Sequence, residues 1–562
     1  MPSLFKPDTS PNAPHNRHIT PPFSPANFHR HPINAYLFMG LVALFLLVTA
    51  NVTFFTQVNA VYPFAQYMGF FISLAVVLFG IIWLLFALFG YKYTLKAVLI
   101  LFILIASATS YFTDTYGTVY DTTMLQNAMQ TDKAESADLL NAVFILRLVL
   151  LGALPAFLVA RQRVFFAPLK RSLMQRAITI IGCLALVGLP IVAFSKQYAS
   201  FFREHKAVRF YTNPVTPIYA VGSLIGQAVK QNSAPKDTIM HASDATQTTL
   251  ATTRKPKLMV MVVGETARAD HSSLNGYARD TMPQLGAIGK SDTGFSNFPQ
   301  VTSCGTSTAY SVPCMFSYVG EKKYDVDTTG FNENVLETLN RLKINVLWRD
   351  NNSDSKGVMN RLPKEAYVSF KTKDTNTVCT SDGECRDVGM LVGLDDYVKA
   401  HQGQDILLVL HQMGNHGPAY YKRYDKQFEK FTPVCQSNEL AKCDKQSVIN
   451  AFDNAFLATD DFLAKTIGWL KPYDGSHQVA MLYMSDHGES LGEKGVYLHG
   501  MPNAFAPPEQ KHVPAVFWAG SQSGLKAVPA NTALTHDAIA PTLLKLFDVK
   551  TEAVNGKATF VE

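Results

Sequence analysis

Residues 257–264 read KLMVMVVG, a short continuous run of apolar side chains. Three similar runs follow, separated by polar stretches that are compatible with helices: DILLVLH at 405–411, QVAMLYMS at 478–485 and VPAVFWAG at 513–520. Apolar runs without alternation are typical of strands that are buried on both faces. We therefore expect a mostly parallel sheet covered by helices, and residues 257–562 are long enough to form one such α/β domain.

Polar side chains follow three of these runs, at the sheet edge where ligands bind in such folds. Glu265 follows the first run, His416 the second, Asp486 and His487 the third, and His499 comes slightly later. Taken singly, a carboxylate here is most often a helix cap, and a histidine is most often a satisfied polar residue. Their convergence at one edge predicts a zinc site, because carboxylate oxygen and imidazole nitrogen are zinc ligands.

The stretch SCGTSTAYSVPC, residues 303–314, places two cysteines around small hydroxyl residues. Glu265, Asp486 and His487 would leave a fourth tetrahedral position open on zinc, which a threonine hydroxyl can occupy. A hydroxyl bound to zinc loses its proton more readily and becomes a better nucleophile. Spacing does not choose between Thr306 and Thr308, and without the zinc ligands an ordinary stapled surface turn is the simpler interpretation.

The cysteines indicate an oxidising compartment. Six of the seven lie in the C-terminal region, where thiols outside the cytoplasm persist as disulfides. Six cysteines allow 15 connectivities. We expect nearest neighbours to pair, and a thiolate metal site is the weaker alternative because no CxxC spacing supports it. The neighbours are Cys304 with Cys314, Cys379 with Cys385, and Cys435 with Cys443, while Cys183 lies in an apolar segment.

Before residue 197 the chain is strongly apolar. Residues 32–91 carry no charged residue or histidine, which leaves room for two spans of about 20 residues with a turn near Tyr62 and Pro63. Three further candidates are 97–113, 142–160 with the single charge Arg147, and 177–195. Five membrane-spanning helices are predicted, and the polar leader before them does not resemble a cleavable signal peptide.

The distribution of charge sets the orientation. Basic residues mark cytoplasmic loops; they are Lys92, Lys96, Arg161, Arg163, Lys170, Arg171 and Arg176. The loop from Asp114 to Asp138 is acidic and belongs outside. The predicted organisation is a cytoplasmic leader at 1–31, a helical membrane domain at 32–196, a connecting segment at 197–256 and an outer domain at 257–562. The net charge of +6 shows no stripe typical of nucleic-acid binding.

The connecting segment has two parts. Residues 197–231 mix aromatic and basic side chains, which suits helices that lie in the headgroup region, although a linker helix packed on the outer domain is equally compatible. Residues 232–256 are rich in Ser, Thr, Ala and Asp, which is typical of a bridge that is either wrapped on the domain or flexible.

Five motifs carry a resemblance to a known family: VVGETARADH (262–271), SCGTSTAYSVPC (303–314), WRDNNSDSKG (348–357), HQMGNHGP (411–418) and SDHGESLGE (485–493). In this order, behind five spans, they resemble the phosphoethanolamine–lipid A transferases, which include the mobile colistin-resistance enzymes. The resemblance extends from the first span almost to the C-terminus. The leader of about thirty residues is longer than is usual in the family.

The resemblance implies a domain of the alkaline-phosphatase type, the fold that sulfatases share, and it implies roles for particular residues. The implied zinc ligands are Glu265, Thr308, Asp486 and His487, with Thr308 as the nucleophile. His416 and His499 are implied to bind phosphate or a second zinc, and Lys356 to contact substrate. Asn127, Thr131 and Glu135 match positions near the lipid donor. Their spacing of four also places them on one helix face, which in the absence of a ligand is an ordinary solvated surface.

The implied reaction moves phosphoethanolamine from phosphatidylethanolamine to a phosphate of lipid A through a covalent threonine intermediate, in the bacterial inner membrane. A monomer is expected, with no nucleic-acid partner. A sulfatase is excluded, because neither Cys304 nor Cys314 is followed by the x-Pro-x-Arg that its modified nucleophile requires. A phosphoglycerol transferase and a non-catalytic zinc- or lipid-binding relative stay open. A transporter is disfavoured, since only Arg147 is charged within the predicted spans.

Overall fold

The protein is described from a computed structural model that covers residues 32–130, 139–205, 207–232, 238–249, 252, 254–325, 330–381 and 383–562. Its first part is helical. The helices are Ala35–Ala50 (α1), Val52–Val61 (α2), Phe64–Phe89 (α3), Leu95–Tyr116 (α4), Thr122–Gln130 (α5), Ala142–Arg147 (α6), Leu154–Arg161 (α7), Leu169–Ala193 (α8), Ser195–Glu204 (α9) and Val215–Asn232 (α10). A π-helical stretch, Leu148–Ala153, joins α6 to α7 into one apolar rod.

Within the described residues, four helical segments are long and apolar enough to cross a membrane, namely α3, α4, α8 and the rod Ala142–Arg161. A fifth is obtained if α1 and α2, which meet at an angle of 63°, form one broken span. The break lies at Asn51, whose side-chain amide donates to the carbonyls of Leu46 and Asn213. The predicted turn at Tyr62 and Pro63 is present, between α2 and α3.

Two helix boundaries differ from those expected from the sequence. Helix α4 continues to Tyr116, so Asp114 belongs to the helix and not to the acidic outer loop. Its carboxylate pairs with Arg147 and accepts a hydrogen bond from the amide of Thr53 at 3.1 Å, which satisfies the charge inside the bundle. Helix α8 begins at Leu169, so its first two turns carry Lys170, Arg171 and Arg176. Long basic side chains at the end of a span can reach the interface, which explains why the helix tolerates them.

The described C-terminal part contains an eight-stranded mixed sheet. Its strands are Lys257–Gly264 (β4), Phe295–Thr302 (β5), Asn345–Asp350 (β6), Tyr367–Ser369 (β7), Ile406–His411 (β8), Gln478–Ser485 (β9), His512–Ala519 (β12) and Leu534–Thr535 (β13). Their order in the sheet is β13-β5-β12-β9-β4-β8-β6-β7. Short pairs lie outside it; they are Ile33–Asn34 (β1) with Val164–Phe165 (β2), Ser490–Glu493 (β10) with Val496–Leu498 (β11), and Thr246–Gln247 (β3) with Val549–Lys550 (β14).

Helices cover both faces of this sheet. They are Pro283–Ser291 (α11), Thr308–Met315 (α12), Val335–Arg341 (α13), Leu394–Ala400 (α14), Lys445–Leu470 (α15), Pro508–Lys511 (α16) and Ile539–Leu546 (α17). One apolar core lies on the face of Trp348 and Phe298 and contains α17, and the other lies on the face of Tyr483 and contains α15. The α/β architecture agrees with the sequence-based expectation.

All four apolar runs are strands, but they do not all run in the same direction. β4, β8 and β9 are mutually parallel, with β4 in the middle. β12, the run VPAVFWAG, pairs with β9 and β5 in the antiparallel sense, so its carboxyl end lies at the opposite edge. The bridging residues before β4 are wrapped on the domain where they are described, since β3 pairs with β14 and Arg254 binds Asp405 and Asp548.

Candidate active site

The site lies at the carboxyl ends of β4 and β9. These strands are parallel neighbours, with Gly264 opposite Ser485. The next residue of each strand is therefore placed at the same point of the sheet edge, which brings Glu265 beside Asp486 and His487. All three side chains are buried. The third segment is the N-terminus of α12, where Thr308 is the first helical residue.

The ligand atoms of these residues converge. The Thr308 hydroxyl lies 3.1 Å from Oε2 of Glu265 and 3.3 Å from Nε2 of His487. The same Nε2 lies 3.4 Å from Oε1 of Glu265 and 3.3 Å from Oδ2 of Asp486. Among the residues that the structure describes, the donor atoms of Glu265, Asp486 and His487 form a group compact enough to hold a metal ion.

Two features of the group fit a zinc ion. Nδ1 of His487 lies 2.8 Å from the carbonyl of Gly488, so it carries the proton and leaves the lone pair of Nε2 facing the group. Oδ2 of Asp486 is buried and accepts no hydrogen bond from a described residue. A buried carboxylate oxygen without a donor is costly unless a cation is present. Three oxygens and one imidazole nitrogen make a donor set that zinc accepts.

The pKa values reflect this crowding. Burial, together with the neighbouring rings of His499 and His416, lowers the pKa of His487 to about 3, so the ring is neutral at physiological pH. Burial and the adjacent charge of Glu265 raise the pKa of Asp486 well above its usual range. Burial opposes ionisation of Glu265 as well, but positive charge on His487, His416 and His499 favours it, and the balance lowers the pKa of that carboxyl below its usual range.

Thr308 is held by its own helix and by a disulfide. Cys304 and Cys314 are bonded, and they enclose Thr308 within a loop of sequence separation 10. The first amides of a helix point outward and carry partial positive charge, which favours an anion at Thr308. Thr306 has a different role, because its hydroxyl donates to the carbonyl of Met501 at 2.6 Å. Thr308, and not Thr306, lies with the group of Glu265, Asp486 and His487.

His499 and His416 border this group. The ring centroid of His499 is 4.3 Å from that of His487 and 5.8 Å from that of His416. Nδ1 of His499 lies 2.8 Å from Oε2 of Glu489, whose other oxygen accepts from the hydroxyl of Tyr420 at 2.5 Å. Glu489 therefore fixes the orientation of His499. Together with His487 and His499, it forms a second group of possible metal ligands.

A cavity of about 230 Å³ extends from His499 to the helical part. Its lining is mostly apolar and comes from both parts of the chain; it includes Phe112, Tyr116, Met124, Asn127, Leu140, Pro418 and His499. Asn127, one of the positions singled out in the sequence, is buried in this wall. The site therefore opens toward a space that the membrane helices help to form.

Comparisons with known proteins agree with this arrangement. The family model described as Sulfatase matches residues 257–549, and the model described as Phosphoethanolamine transferase EptA/EptB matches residues 78–229. Phosphatidylethanolamine transferase Mcr-2 of Escherichia coli is 60% identical over 538 residues, which is 95% of this chain and 99% of the relative. The chain belongs to the phosphoethanolamine transferase family. Phosphoethanolamine transferase EptA of E. coli K12, another relative, is 35% identical over 93% of this chain and 96% of its own length.

A solved structure supports the same assignment for the whole architecture. The integral membrane lipooligosaccharide phosphoethanolamine transferase A from Neisseria meningitidis has a TM-score of 0.87 at 32% identity and covers 93% of this chain and 97% of its own. Its soluble domain alone gives a TM-score of 0.52 at 36% identity over 56% of this chain and 95% of that domain. The protein described here is thus a multi-pass protein of the inner membrane with its α/β domain in the periplasm.

Several other residues were assigned a role from the sequence, in substrate contact or in disulfides. Lys356 is half-buried in the loop that follows β6 and has a φ of +50°. The same loop reaches the site through Asn352. Thr131 and Glu135 lie outside the described residues. The three neighbouring cysteine pairs are all bonded, and Cys183 is buried in α8.

Two residues of the site were not singled out from the sequence. Asn352 donates from Nδ2 to Oε2 of Glu265 at 2.8 Å and to the carbonyl of Gln412 at 2.7 Å, so it fixes the carboxylate beside Thr308. Glu489 holds His499, as described above. Asn352 lies in the motif WRDNNSDSKG, just after β6, and Glu489 lies in the motif SDHGESLGE, two residues after His487. Their positions in these motifs could have indicated that both residues belong to the site.

Proposed function

We propose that this protein transfers phosphoethanolamine from phosphatidylethanolamine to a phosphate group of lipid A, through a covalent bond to Thr308. The observation that carries the proposal is the position of the Thr308 hydroxyl, which lies in a buried metal-binding group that borders a cavity shared with the membrane helices. A nucleophile placed this way suits substrates whose apolar tails stay in the bilayer while their headgroups react.

Glu265, Thr308, Asp486 and His487 are the proposed ligands of one zinc ion. When bound, zinc supplies Lewis-acid chemistry, because it favours ionisation of a hydroxyl and stabilises negative charge on phosphoryl oxygens. Asn352 keeps Glu265 in place, and the Nδ1 contact of His487 with Gly488 keeps its Nε2 available. A second ion during turnover is proposed at His499 and His416, with Glu489 as a further ligand.

In the first half of the reaction, Oγ1 of Thr308 attacks the phosphorus of phosphatidylethanolamine. A bond forms between Oγ1 and phosphorus, and the bond from phosphorus to the glycerol oxygen breaks. Diacylglycerol leaves with the proton that Oγ1 of Thr308 gives up, and the partial positive charge at the N-terminus of α12 favours the phosphoryl oxygens. His416 and His499, which border the group, are placed to deliver that proton.

In the second half, a phosphate oxygen of lipid A attacks the same phosphorus. The new P–O bond forms as the bond to Oγ1 of Thr308 breaks, and Oγ1 takes up the proton that the attacking phosphate hydroxyl of lipid A releases. The product carries an added amine on an anionic headgroup, so cationic peptides are attracted less strongly to the surface. On this basis, resistance to polymyxin and colistin is a proposed consequence.

The architecture suggests how the domains share this work. The proposed domains are residues 32–196 in the membrane, residues 197–256 as the interfacial and bridging segment, and residues 257–562 as the periplasmic catalytic domain. In α10, Tyr219, Ile225 and Val229 are strongly exposed, which suits a helix lying at the membrane surface. The monomer is the proposed working unit, since both parts of the cavity wall come from one chain.

The deciding experiment is mass spectrometry of lipid A from cells that express the intact chain, the variant Thr308→Ala or the variant Thr308→Ser. The intact chain is expected to add the mass of phosphoethanolamine, and Thr308→Ala to add none. Thr308→Ser keeps a hydroxyl at the same position and is expected to retain part of the activity. Treatment of the purified protein with a chelator should abolish transfer, and added Zn²⁺ should restore it.

Two results would contradict the proposal. Unmodified lipid A from cells that contain folded, zinc-loaded wild-type protein would show that the acceptor is wrong and would favour a different headgroup transfer. Transfer by Thr308→Ala at the wild-type level would show that the nucleophile is a different group.

A further inference from the structure

A second cavity lies at the opposite, cytoplasmic end of the membrane helices. Its volume is about 330 Å³, and its lining combines two ammonium groups with aromatic and aliphatic side chains. The lining residues are Lys92, Tyr93, Leu95, Lys96, Val164, Phe165 and Phe166. It shares no residue with the cavity beside His499, and the phosphoethanolamine transfer proposed above does not use it.

The walls of this cavity come from two separate chain segments, and each segment is held in place by another element of the membrane domain. One wall is the turn between α3 and α4, and Arg176 of α8 holds that turn by donating to the carbonyl of Gly90 and stacking 3.7 Å from the ring centroid of Tyr91. The other wall is the segment between α7 and α8. It is fixed by β2, which pairs with β1 in the register Ile33 to Val164. The cavity is therefore a built feature and not the surface of one loop.

The two lysines of the cavity have no carboxylate of the membrane domain near them. Residues 32–113 and 139–203 contain no Asp or Glu at all. Lys96 donates to the carbonyl of Ala160 at 2.7 Å, and Lys92 lies 5.4 Å from the ring centroid of Tyr93. Neither contact brings a carboxylate to these ammonium groups within the part of the chain that the structure describes. Residues 1–31 do not supply an excess of acid either, because Asp8 is outnumbered by Lys6, Arg17 and Arg30.

We propose that this cavity binds the phosphate of an anionic phospholipid from the cytoplasmic leaflet. The ammonium groups of Lys92 and Lys96 would contact the phosphate, and Phe165 and Phe166 would contact the glycerol and the first part of the acyl chains. Basic pockets between membrane helices at this depth are suited to such headgroups. A zwitterionic headgroup brings its own cation next to the phosphate, so phosphatidylglycerol is favoured over phosphatidylethanolamine.

Native mass spectrometry of the full chain in a mild detergent tests this proposal. The protein is titrated with phosphatidylglycerol and, separately, with phosphatidylethanolamine of the same acyl chains. Because the proposed donor site beside His499 also takes phosphatidylethanolamine, the quantity compared is the part of the binding that the double variant Lys92→Gln/Lys96→Gln removes, and this part is expected to be larger for phosphatidylglycerol. The double variant is expected to lower the affinity for phosphatidylglycerol by about 20-fold, since each basic residue near the surface contributes a several-fold factor.

The matched control is Lys170→Gln/Arg171→Gln, which removes the same charge from the start of α8 without touching the cavity lining. Its affinity for phosphatidylglycerol should stay within about twofold of the wild type. The single variant Lys92→Gln, at an exposed position, should show an intermediate loss even if the double variant folds poorly. Equal losses in the control and the double variant, an equal loss of phosphatidylglycerol and phosphatidylethanolamine binding in the double variant, or displacement of phosphatidylglycerol by millimolar inorganic phosphate would each overturn the proposal.

Discussion

His536 connects two segments that meet at the active site, although it is not part of the group formed by Glu265, Asp486 and His487. Its buried ring accepts a hydrogen bond on Nδ1 from the amide of Cys304 at 3.1 Å and donates from Nε2 to the carbonyl of Ser485 at 3.0 Å. Cys304 opens the disulfide loop of Thr308, and Ser485 directly precedes Asp486. A neutral ring satisfies both contacts, whereas a protonated ring would lose the contact from Cys304.

This contact predicts a pH dependence of stability. Burial lowers the pKa of His536 to about 3, below its value of about 6.5 in an unfolded chain. The unfolded state therefore binds more protons between these values, so the stabilising effect is complete above pH 6.5 and is lost as the pH falls toward 3. His536→Gln keeps a donor and an acceptor but does not titrate. Its unfolding free energy, measured for the full chain in detergent, should depend less steeply on pH by about 1.4 kcal/mol per unit below pH 6. An unchanged slope would show that His536 is protonated in the folded protein.

Residue-level geometry also explains why part of the site could not be predicted from the sequence. Glu265, Asp486 and His487 were identifiable because they follow apolar runs, and ligands in a mostly parallel sheet bind beyond the carboxyl ends of its strands. Asn352 was not, because its contact with Glu265 depends on how the loop after β6 folds back across the sheet edge. Thr266 adds a further feature of this kind, since its φ of +61° is rare for a β-branched residue. That conformation lets its amide donate to Oδ1 of Asp486 at 3.2 Å.

At the scale of elements, α12 and its disulfide set the position of Thr308, the proposed nucleophile. The bond between Cys304 and Cys314 ties the start of the loop to the last turns of α12. The double variant Cys304→Ser/Cys314→Ser is expected to lose about 2–3 kcal/mol of stability through the unfolded chain, and also to lower the rate of transfer because Thr308 is less firmly held. The measurements are thermal unfolding of the full chain and lipid A modification at a temperature where the variant is folded.

The pair Cys435 and Cys443 supplies the matched control for this disulfide. It closes a loop of similar length, with a sequence separation of 8 against 10, but neither cysteine contributes to the group around Thr308. Its double serine variant should lose a similar amount of stability and keep the wild-type rate. If both variants lose activity equally, the disulfide next to Thr308 acts only through global stability.

Some strands of the sheet could be predicted from the sequence and others could not. β4, β8 and β9 are continuous apolar runs because both of their faces are covered, and this pattern identified them. β5 has the sequence FSNFPQVT, with polar residues and a proline that a sheet-interior strand seldom carries, so it gave no such signal. The direction of β12 could not be predicted, because a buried strand has the same apolar sequence pattern whether it is parallel or antiparallel to its neighbours. The break at Asn51 depends on Asn213, which is 162 residues away.

At the scale of the whole molecule, the membrane helices and the catalytic domain meet at the end of α4. The hydroxyl of Tyr116 donates to the carbonyl of Asn438 at 3.1 Å. Next to it, Gly117 ends α4 in the left-handed region, with a φ of +71°, and packs against the hairpin of β10 and β11. That hairpin lies in the sequence between His487 and His499. The contact therefore links the membrane helices to the segment that carries His499, which lines the cavity beside the active site.

This contact predicts the effect of Gly117→Val. A Cβ at this position would lie 3.2 Å from Cα of Val496 and 3.3 Å from the carbonyl oxygen of Gly495, so the larger side chain must push the hairpin away. Gly556 provides the control, because it has the same φ of +71° and nothing within 4 Å of an added Cβ. Both variants carry the backbone cost of about 1–2 kcal/mol for a left-handed residue, but only Gly117→Val disturbs the interface.

For Gly117→Val, the fraction of modified lipid A in cells should fall by about tenfold or more, because reacting groups displaced by even an ångström react much more slowly. Zinc content and the hydrolysis of a small water-soluble phosphodiester should stay near the wild-type level, since the group around Thr308 does not touch Gly117. Gly556→Val should match the wild type in all three measurements. Loss of zinc or of activity on the soluble substrate in Gly117→Val would show that the interface supports the metal site itself, and not only the meeting of the site with its lipid substrates.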